Sequence, residues 1–204
     1  MIPKELEIIK QHGANMGGFC YLLYSLMTEY RNNQRGLRTV VEIGVRWGTS
    51  TNSFLYGIRD RGRKDPKIQL YSIDIKDCSN AVKDKTLLPY WTFIQDDSKK
   101  VAKTWDKGDV DILLIDGAHD YDNCKNDYEL WEPFVKENGL ILFHDPLWPH
   151  KGVTKVFWDH VQYPKSILPL SKSGMGIVYK LTGEPPYYDE AKIRFGHEGI
   201  AKGK

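Results

Sequence analysis

Val40-Val-Glu42-Ile-Gly44-Val-Arg-Trp-Gly48-Thr49-Ser50 decides how this chain is read. A β-branched run that ends in a carboxylate and two glycines has the form of a strand passing through a tight turn into a helix. Loops that bind a dinucleotide set glycines and helix-terminal N–H groups against a pyrophosphate, and a glutamate at the strand exit would repel that charge. Gly44 and Gly48 also stand four apart, which does not fit G-x-G-x-x-G. The stretch therefore predicts a ligand that carries an ammonium or sulfonium group.

Outward from it, strands and helical segments alternate. Residues 18 to 30 place apolar groups at helical spacing and predict a helix before the first strand, able to cap a bound ligand. The strand at 39 to 43 leads into a helix from Ser50 to about Arg61. A second strand, Gln69 to Ile73, ends at Asp74. Residues 79 to 90 read as a weak helix that stops near Pro89, and Trp91 to Ile94 as a short strand before Asp96-Asp97-Ser98 and another helix to about Trp105.

Val110 to Ile115 is a near-continuous apolar run, as expected of a central parallel strand covered on both faces. It ends at Asp116. A helix over 122 to 136, with Asn138-Gly139 as its C-cap, precedes the strand Leu140 to Phe143, which ends in His144-Asp145. After an amphipathic segment from Gly152 to Val161, the pair Ile167 to Leu170 and Ile177 to Leu181 reads as a hairpin. The pattern predicts an α/β fold: a Rossmann-like, doubly wound, mostly parallel seven-stranded sheet with an antiparallel C-terminal hairpin strand. One domain spans 1 to 182, and 183 to 204 form a tail.

Composition narrows the function classes. The 204 residues are 41% hydrophobic, and 29 basic against 27 acidic groups give a net charge of +2 with no basic block. That argues against a nucleic-acid partner. No apolar run approaches the roughly 18 to 20 residues that span a bilayer, so no membrane partner is expected. Cys20, Cys78 and Cys124 are widely separated and odd in number, which suggests neither a disulfide framework nor a zinc knuckle, and points to a reducing cytoplasm.

Ligands of open α/β sheets bind outside the carboxyl ends of the strands, and here those ends are acidic: Glu42, Asp74, Asp97, Asp116 and Asp145. A single such acid is common as a turn or N-cap residue. With Glu42-Ile-Gly44-x-x-x-Gly48-Thr-Ser50 and Ile115-Asp116-Gly117-Ala-His119-x-Tyr121, followed by Gly139 and His144-Asp145, the chain resembles a class I S-adenosylmethionine (SAM)-dependent methyltransferase. Within that superfamily it is similar to the branch of macrocin- and novobiocin-type sugar O-methyltransferases and cephalosporin hydroxylase-like proteins, over about residues 38 to 181.

The resemblance implies that Gly44, Gly48, Thr49 and Ser50 shape the methionine-side loop and that Glu42 orients that loop or the amino group. It puts Asp74 on the ribose hydroxyls, with Asp97 and Ser98 at the adenine edge, where Asp96 is the competing aspartate. Asp116 and Asp145, on neighbouring strand exits, are close enough to share a hard cation, for which magnesium is the natural choice. His144 adds a ligand softer than magnesium prefers. His119, in the same loop, either takes the acceptor's hydroxyl proton or bonds Asp145 from behind.

The expected reaction is methyl transfer to a hydroxyl of a small molecule, of sugar or polyol type. Trp47, Tyr121 and Trp148 are candidates for the pocket wall, and the N-terminal helix and tail for a homo-oligomer surface. Two alternatives keep the fold: a non-haem-metal hydroxylase built on His119, His144 and Asp145, and a catalytically silent SAM-binding protein.

Overall fold

The computed structural model describes residues 3–29, 37–61, 68–148 and 152–181. Residues 30–36, 62–67, 149–151 and 182–204, the last holding the expected tail, lie outside them. Seven strands form one sheet in the order β3-β2-β1-β4-β5-β7-β6. Five are parallel: β1 (Thr39–Ile43), β2 (Gln69–Asp74), β3 (Trp91–Gln95), β4 (Val110–Ile115) and β5 (Val135–His144). The antiparallel β6 (Lys165–Leu168) and β7 (Met175–Tyr179) complete it, with β7 inserted beside β5. This is the doubly wound sheet with an antiparallel edge that the alternating pattern predicts.

The pleat divides the core in two. Val40, Leu70, Ile112, Leu114 and Leu142 face one layer, built with α3 (Cys20–Glu29) and α4 (Thr49–Arg61). Val41, Ile43, Ile73, Leu113, Ile115 and Phe143 face the other, built with α6 (Tyr121–Trp131) and the 152–160 segment. Two further N-terminal helices, α1 (Lys4–His12) and α2 (Ala14–Gly17), pack on α4. Among the described residues, no helix is long and apolar enough to cross a membrane.

Two helical expectations fail for identifiable reasons. The 79 to 90 segment forms only a 3₁₀ turn, Leu88–Tyr90. Asp77 accepts from Ser79 N, and Asp84 accepts from the Thr86 amide and hydroxyl. These local side-chain bonds offer the backbone an alternative to the helical ladder. The helix expected to reach 136 ends at Trp131, because Pro133 lacks the N–H that would continue it. Val135 then already pairs with Val110, so Asn138 (φ 61°) lies inside β5, not at a helix C-cap.

At the sheet's other end, buried Asp111 joins three strands. Its carboxylate accepts from Arg38 N and Thr39 N, each at 2.8 Å, and from Lys136 Nζ at 2.7 Å. The start of β1 is thereby tied to β4 and β5. Asp111→Ala leaves two amides and a half-buried ammonium without that acceptor and should destabilise the fold by about 2–4 kcal/mol in urea unfolding. A change below about 0.5 kcal/mol would show that water replaces the carboxylate at no cost.

Candidate active site

Parallel register aligns Ile43 with Ile73 on one side and Ile115 on the other, and Ile115 with Phe143. The next residues, Gly44, Asp74, Asp116 and His144, thus reach the carboxyl edge of the sheet in one row. A cleft of about 720 Å³ opens above them, a size suited to a small molecule. His12, Gly13, Ala14, Asn15 and Met16 form its N-terminal wall. The helix expected as a cap over 18 to 30 forms as α3, but the segment that lines the cleft is the one before it.

The β1–α4 loop is shaped by its glycines. Gly44 (φ 93°) lies so close to the β4 exit that an added Cβ would stand 2.2 Å from the Asp116 carbonyl oxygen. No other residue fits. Asp74 braces the same loop: Oδ2 accepts from Val45 N (2.9 Å) and Arg46 N (3.2 Å), and Oδ1 from Lys76 N (2.9 Å). Burial would raise its carboxyl, but these bonds prevail and hold it below the ordinary range, as an anion. Thr49 and Ser50, in the first turn of α4, also line the cleft. Trp47, 77% exposed, and Ile75, 71% exposed, flank its mouth.

Glu42 stands behind the loop and does not line the cleft. It belongs to the β1 face that meets α4, is 0% exposed, and accepts through Oε2 from Thr51 Oγ1 (2.7 Å) and Ser72 Oγ (2.6 Å). The carboxylate therefore fixes the start of α4 against β2. Burial raises its pKa to about 7, against the pull of the neighbouring Ser50, Ser72 and Thr51 hydroxyls.

At the β3 exit, Asp96, Asp97 and Ser98 all reach the cleft. Asp97 is the N-cap of α5 (Ser98–Lys103), accepting from Lys99 N at 2.9 Å. Asp96 accepts from Asp97 N and pairs with Lys100. Ser98 donates its hydroxyl to Asp127 Oδ1, from α6. Asp127 also lines the cleft, and sequence reading missed it. A signal was available: Asp127 shares the buried face of α6 with Cys124, Tyr128 and Trp131.

The exits of β4 and β5 bring Asp116, His119, His144 and Asp145 together. His144 Nδ1 lies 2.9 Å from Asp116 Oδ1 and 3.2 Å from Asp145 Oδ1. His119 Nε2 lies 3.1 Å from Asp145 Oδ2 and 3.7 Å from Asp116 Oδ1. Asp145 adopts φ 68°, a left-handed backbone that turns the chain out of β5 at this point. Burial favours the protonated form of Asp116, but the hydrogen bonds and charge of His119 and His144 outweigh it and hold the carboxyl below its usual range. Phe19 packs edge-on against the His144 ring, whose Nε2 is buried without a hydrogen-bond partner.

The donor atoms also suit a cation. A carboxylate and imidazole nitrogens are ligand types that a divalent metal ion takes. Among the described residues, Asp116, His119 and His144 offer such a set, with ligand atoms all within 4.8 Å of one another.

The chain matches the family model described as methyltransferase domain over residues 41–146. No curated protein matches it. Among solved structures it is similar to a protein from Corynebacterium glutamicum, with TM-score 0.64 and 15% identity over 90% of this chain and 92% of that one. It is also similar to an O-methyltransferase from Bacillus cereus in complex with S-adenosylhomocysteine (SAH), with TM-score 0.60 and 14% identity over 88% and 93%. A third, the MycE methyltransferase from the mycinamycin biosynthetic pathway, was solved with Mg, SAH and mycinamycin VI; there TM-score is 0.53 and identity 21%, over 83% of this chain and 52% of that one. At these identities the likeness establishes the fold.

Glu42 yields a pH test. Its folded pKa, about 7, lies above the ordinary 4.5, so the wild type loses stability as pH rises between those values. Glu42→Gln has no such titration. The stability of the variant relative to wild type should therefore rise by about 3 kcal/mol between pH 4.5 and 7.5 in urea unfolding. A difference that stays constant with pH would contradict the assignment.

Proposed function

The chain belongs to the methyltransferase-domain family, and on that premise we propose that it moves the methyl group of SAM to a hydroxyl oxygen of a small acceptor, of sugar or polyol type. The observation that carries this reading is the joining of the glycine loop and Asp74 to the Asp116–His119–Asp145 cluster in one cleft. Among its lining residues, six carboxylates, Asp74, Asp96, Asp97, Asp116, Asp127 and Asp145, stand against three permanent cations, Arg46, Lys76 and Lys99. That balance favours a sulfonium ligand. Asp74 suits a ribose hydroxyl, since its Oδ1, with one backbone bond from Lys76 N, keeps acceptor capacity, and Trp47 and Trp148 offer ring faces to the apolar side of a sugar.

In the transfer, the acceptor oxygen forms the new C–O bond as the C–S bond breaks, and sulfur keeps the electron pair as a neutral thioether. Positioning and a water-poor site supply most of the rate, because the sulfonium charge disappears along the path. His119 receives the hydroxyl proton. Asp145, whose Oδ2 lies 3.1 Å from His119 Nε2, stabilises the resulting imidazolium. Asp116, His144 and Asp145 would hold a divalent cation, magnesium in the first instance, which when bound lowers the pKa of the acceptor hydroxyl and orients it.

A second reading rests on the grouping of Asp116, His119 and His144. Two histidines and one carboxylate are a donor set that also suits ferrous iron in oxygenases. Activity restored by iron and oxygen, without consumption of SAM, would replace methyl transfer by hydroxylation.

Calorimetry should give micromolar binding of SAM and SAH to the wild type and at least about tenfold weaker binding to Asp74→Ala. No binding to the wild type would defeat the proposal. In assays with labelled SAM against a panel of glycosides and polyols, His119→Ala should keep SAM affinity and lower kcat by about 10²–10⁴-fold. EDTA should suppress turnover, and added magnesium or manganese should restore it; turnover indifferent to chelation would remove the cation from the account.

A further inference from the structure

Behind the cleft, one side chain that the methyl-transfer mechanism leaves unused joins the loops after β1 and β2. Asn52, in the first turn of α4, does not line the cleft. Its Nδ2 donates to Gly48 O at 2.7 Å, in the β1–α4 loop, and to Ala81 O at 2.9 Å, in the segment that follows β2. Both partners are carbonyl oxygens, which only accept, so the amide nitrogen must face them and both of its hydrogens are committed. A carboxylate of the same shape could make neither bond.

The fit around this joint is close. A Cβ on Gly48, whose φ is 74°, would stand 2.8 Å from Ala81 Cβ and 3.0 Å from both Ala81 O and Asn52 Nδ2. The segment turns at Cys78, whose carbonyl accepts from Ala81 N at 2.9 Å, and is anchored beyond the joint by Val82 and Leu87, buried in the layer built with α3 and α4. On the cleft side the same two stretches are joined a second time, where Asp74 accepts from Val45 N and Arg46 N. Asp74 and Asn52 thus close a ring of bonds through residues 45–48 and 74–81.

We propose that Asn52 is a positioning residue for the cofactor: by fixing the β1–α4 loop to the 75–81 segment from behind, it holds the Asp74 carboxylate where it meets the ribose. The inference rests on the SAM reading above, which sets Asp74 against the ribose. Without the amide, two carbonyl oxygens share a space with no donor between them, and Asp74 alone spans the loops. Its carboxylate then follows the loops as they part, although every group that touches the cofactor is still present. Ordering of the loops before the ligand arrives raises affinity, because less is left to fix on binding.

The test is a double-mutant cycle read by SAH calorimetry on the full chain. Asn52→Ala should weaken SAH by about tenfold. Asn52→Asp, of the same shape without the donors, should weaken it at least as much. In an Asp74→Ala background, Asn52→Ala should cost less than about threefold more, because the group it positions is already gone. An amide that served the fold alone would give its full loss in both backgrounds. That additivity, or wild-type SAH affinity in both single variants, would overturn the proposal while leaving methyl transfer intact. Urea unfolding checks each fold, and Asn52→Asp takes the place of Asn52→Ala in the cycle if the latter does not fold. Failure of both to fold would make Asn52 a folding element and overturn its positioning role. No SAH binding to the wild type would overturn that role and the SAM reading together.

Discussion

The level ending of four parallel strands is the constraint on which the rest of the molecule depends. Because Ile73, Ile43, Ile115 and Phe143 share one register line, Asp74, Gly44, Asp116 and His144 emerge side by side. A slip of one residue in β1 would turn Glu42 to the other face of the sheet and separate Gly44 from the Asp116 carbonyl. Asp111 guards the register at one end of the sheet, and the fit of Gly44 against Asp116 guards it at the other. The cleft is a consequence of strand pairing, and its chemistry is set by which residues the pairing brings to the edge.

Those residues divide the labour along the row. On the β1 and β2 side, Asp74 braces the loop that shapes the cleft through Val45 N and Arg46 N and keeps acceptor capacity at Oδ1. Glu42 works one layer deeper, tying α4 to β2 through Thr51 and Ser72. On the β4 and β5 side, two carboxylates and two imidazoles are interleaved so that each charge has an opposite or polar neighbour. Such a cluster can hold a proton or a cation in a defined place.

Much of this was legible in the chain. The alternation of apolar runs with helical segments gave the sheet, and the acids that end successive strands marked the edge where the cleft lies. What could not be read depended on tertiary direction. The sequence shows Glu42 beside Gly44, but only the pleat reveals that it points at α4 and away from the cleft. The segment from 79 to 90 has helical spacing, yet Asp77 and Asp84 bond their own backbone neighbours and hold it in turns. Pro133 shortened α6, and β5 began five residues early to meet Val110. Asp127 lies within a helix, outside the pattern of acids that end the strands.

A crystal of the protein soaked with SAH and a divalent cation tests the central claim most directly. The account predicts a ribose hydroxyl on Asp74, the sulfur directed toward His119, and the ion bound by Asp116, His144 and Asp145. A cleft that stays empty at saturating SAH, or a ligand seated with its sulfur away from His119, would contradict it.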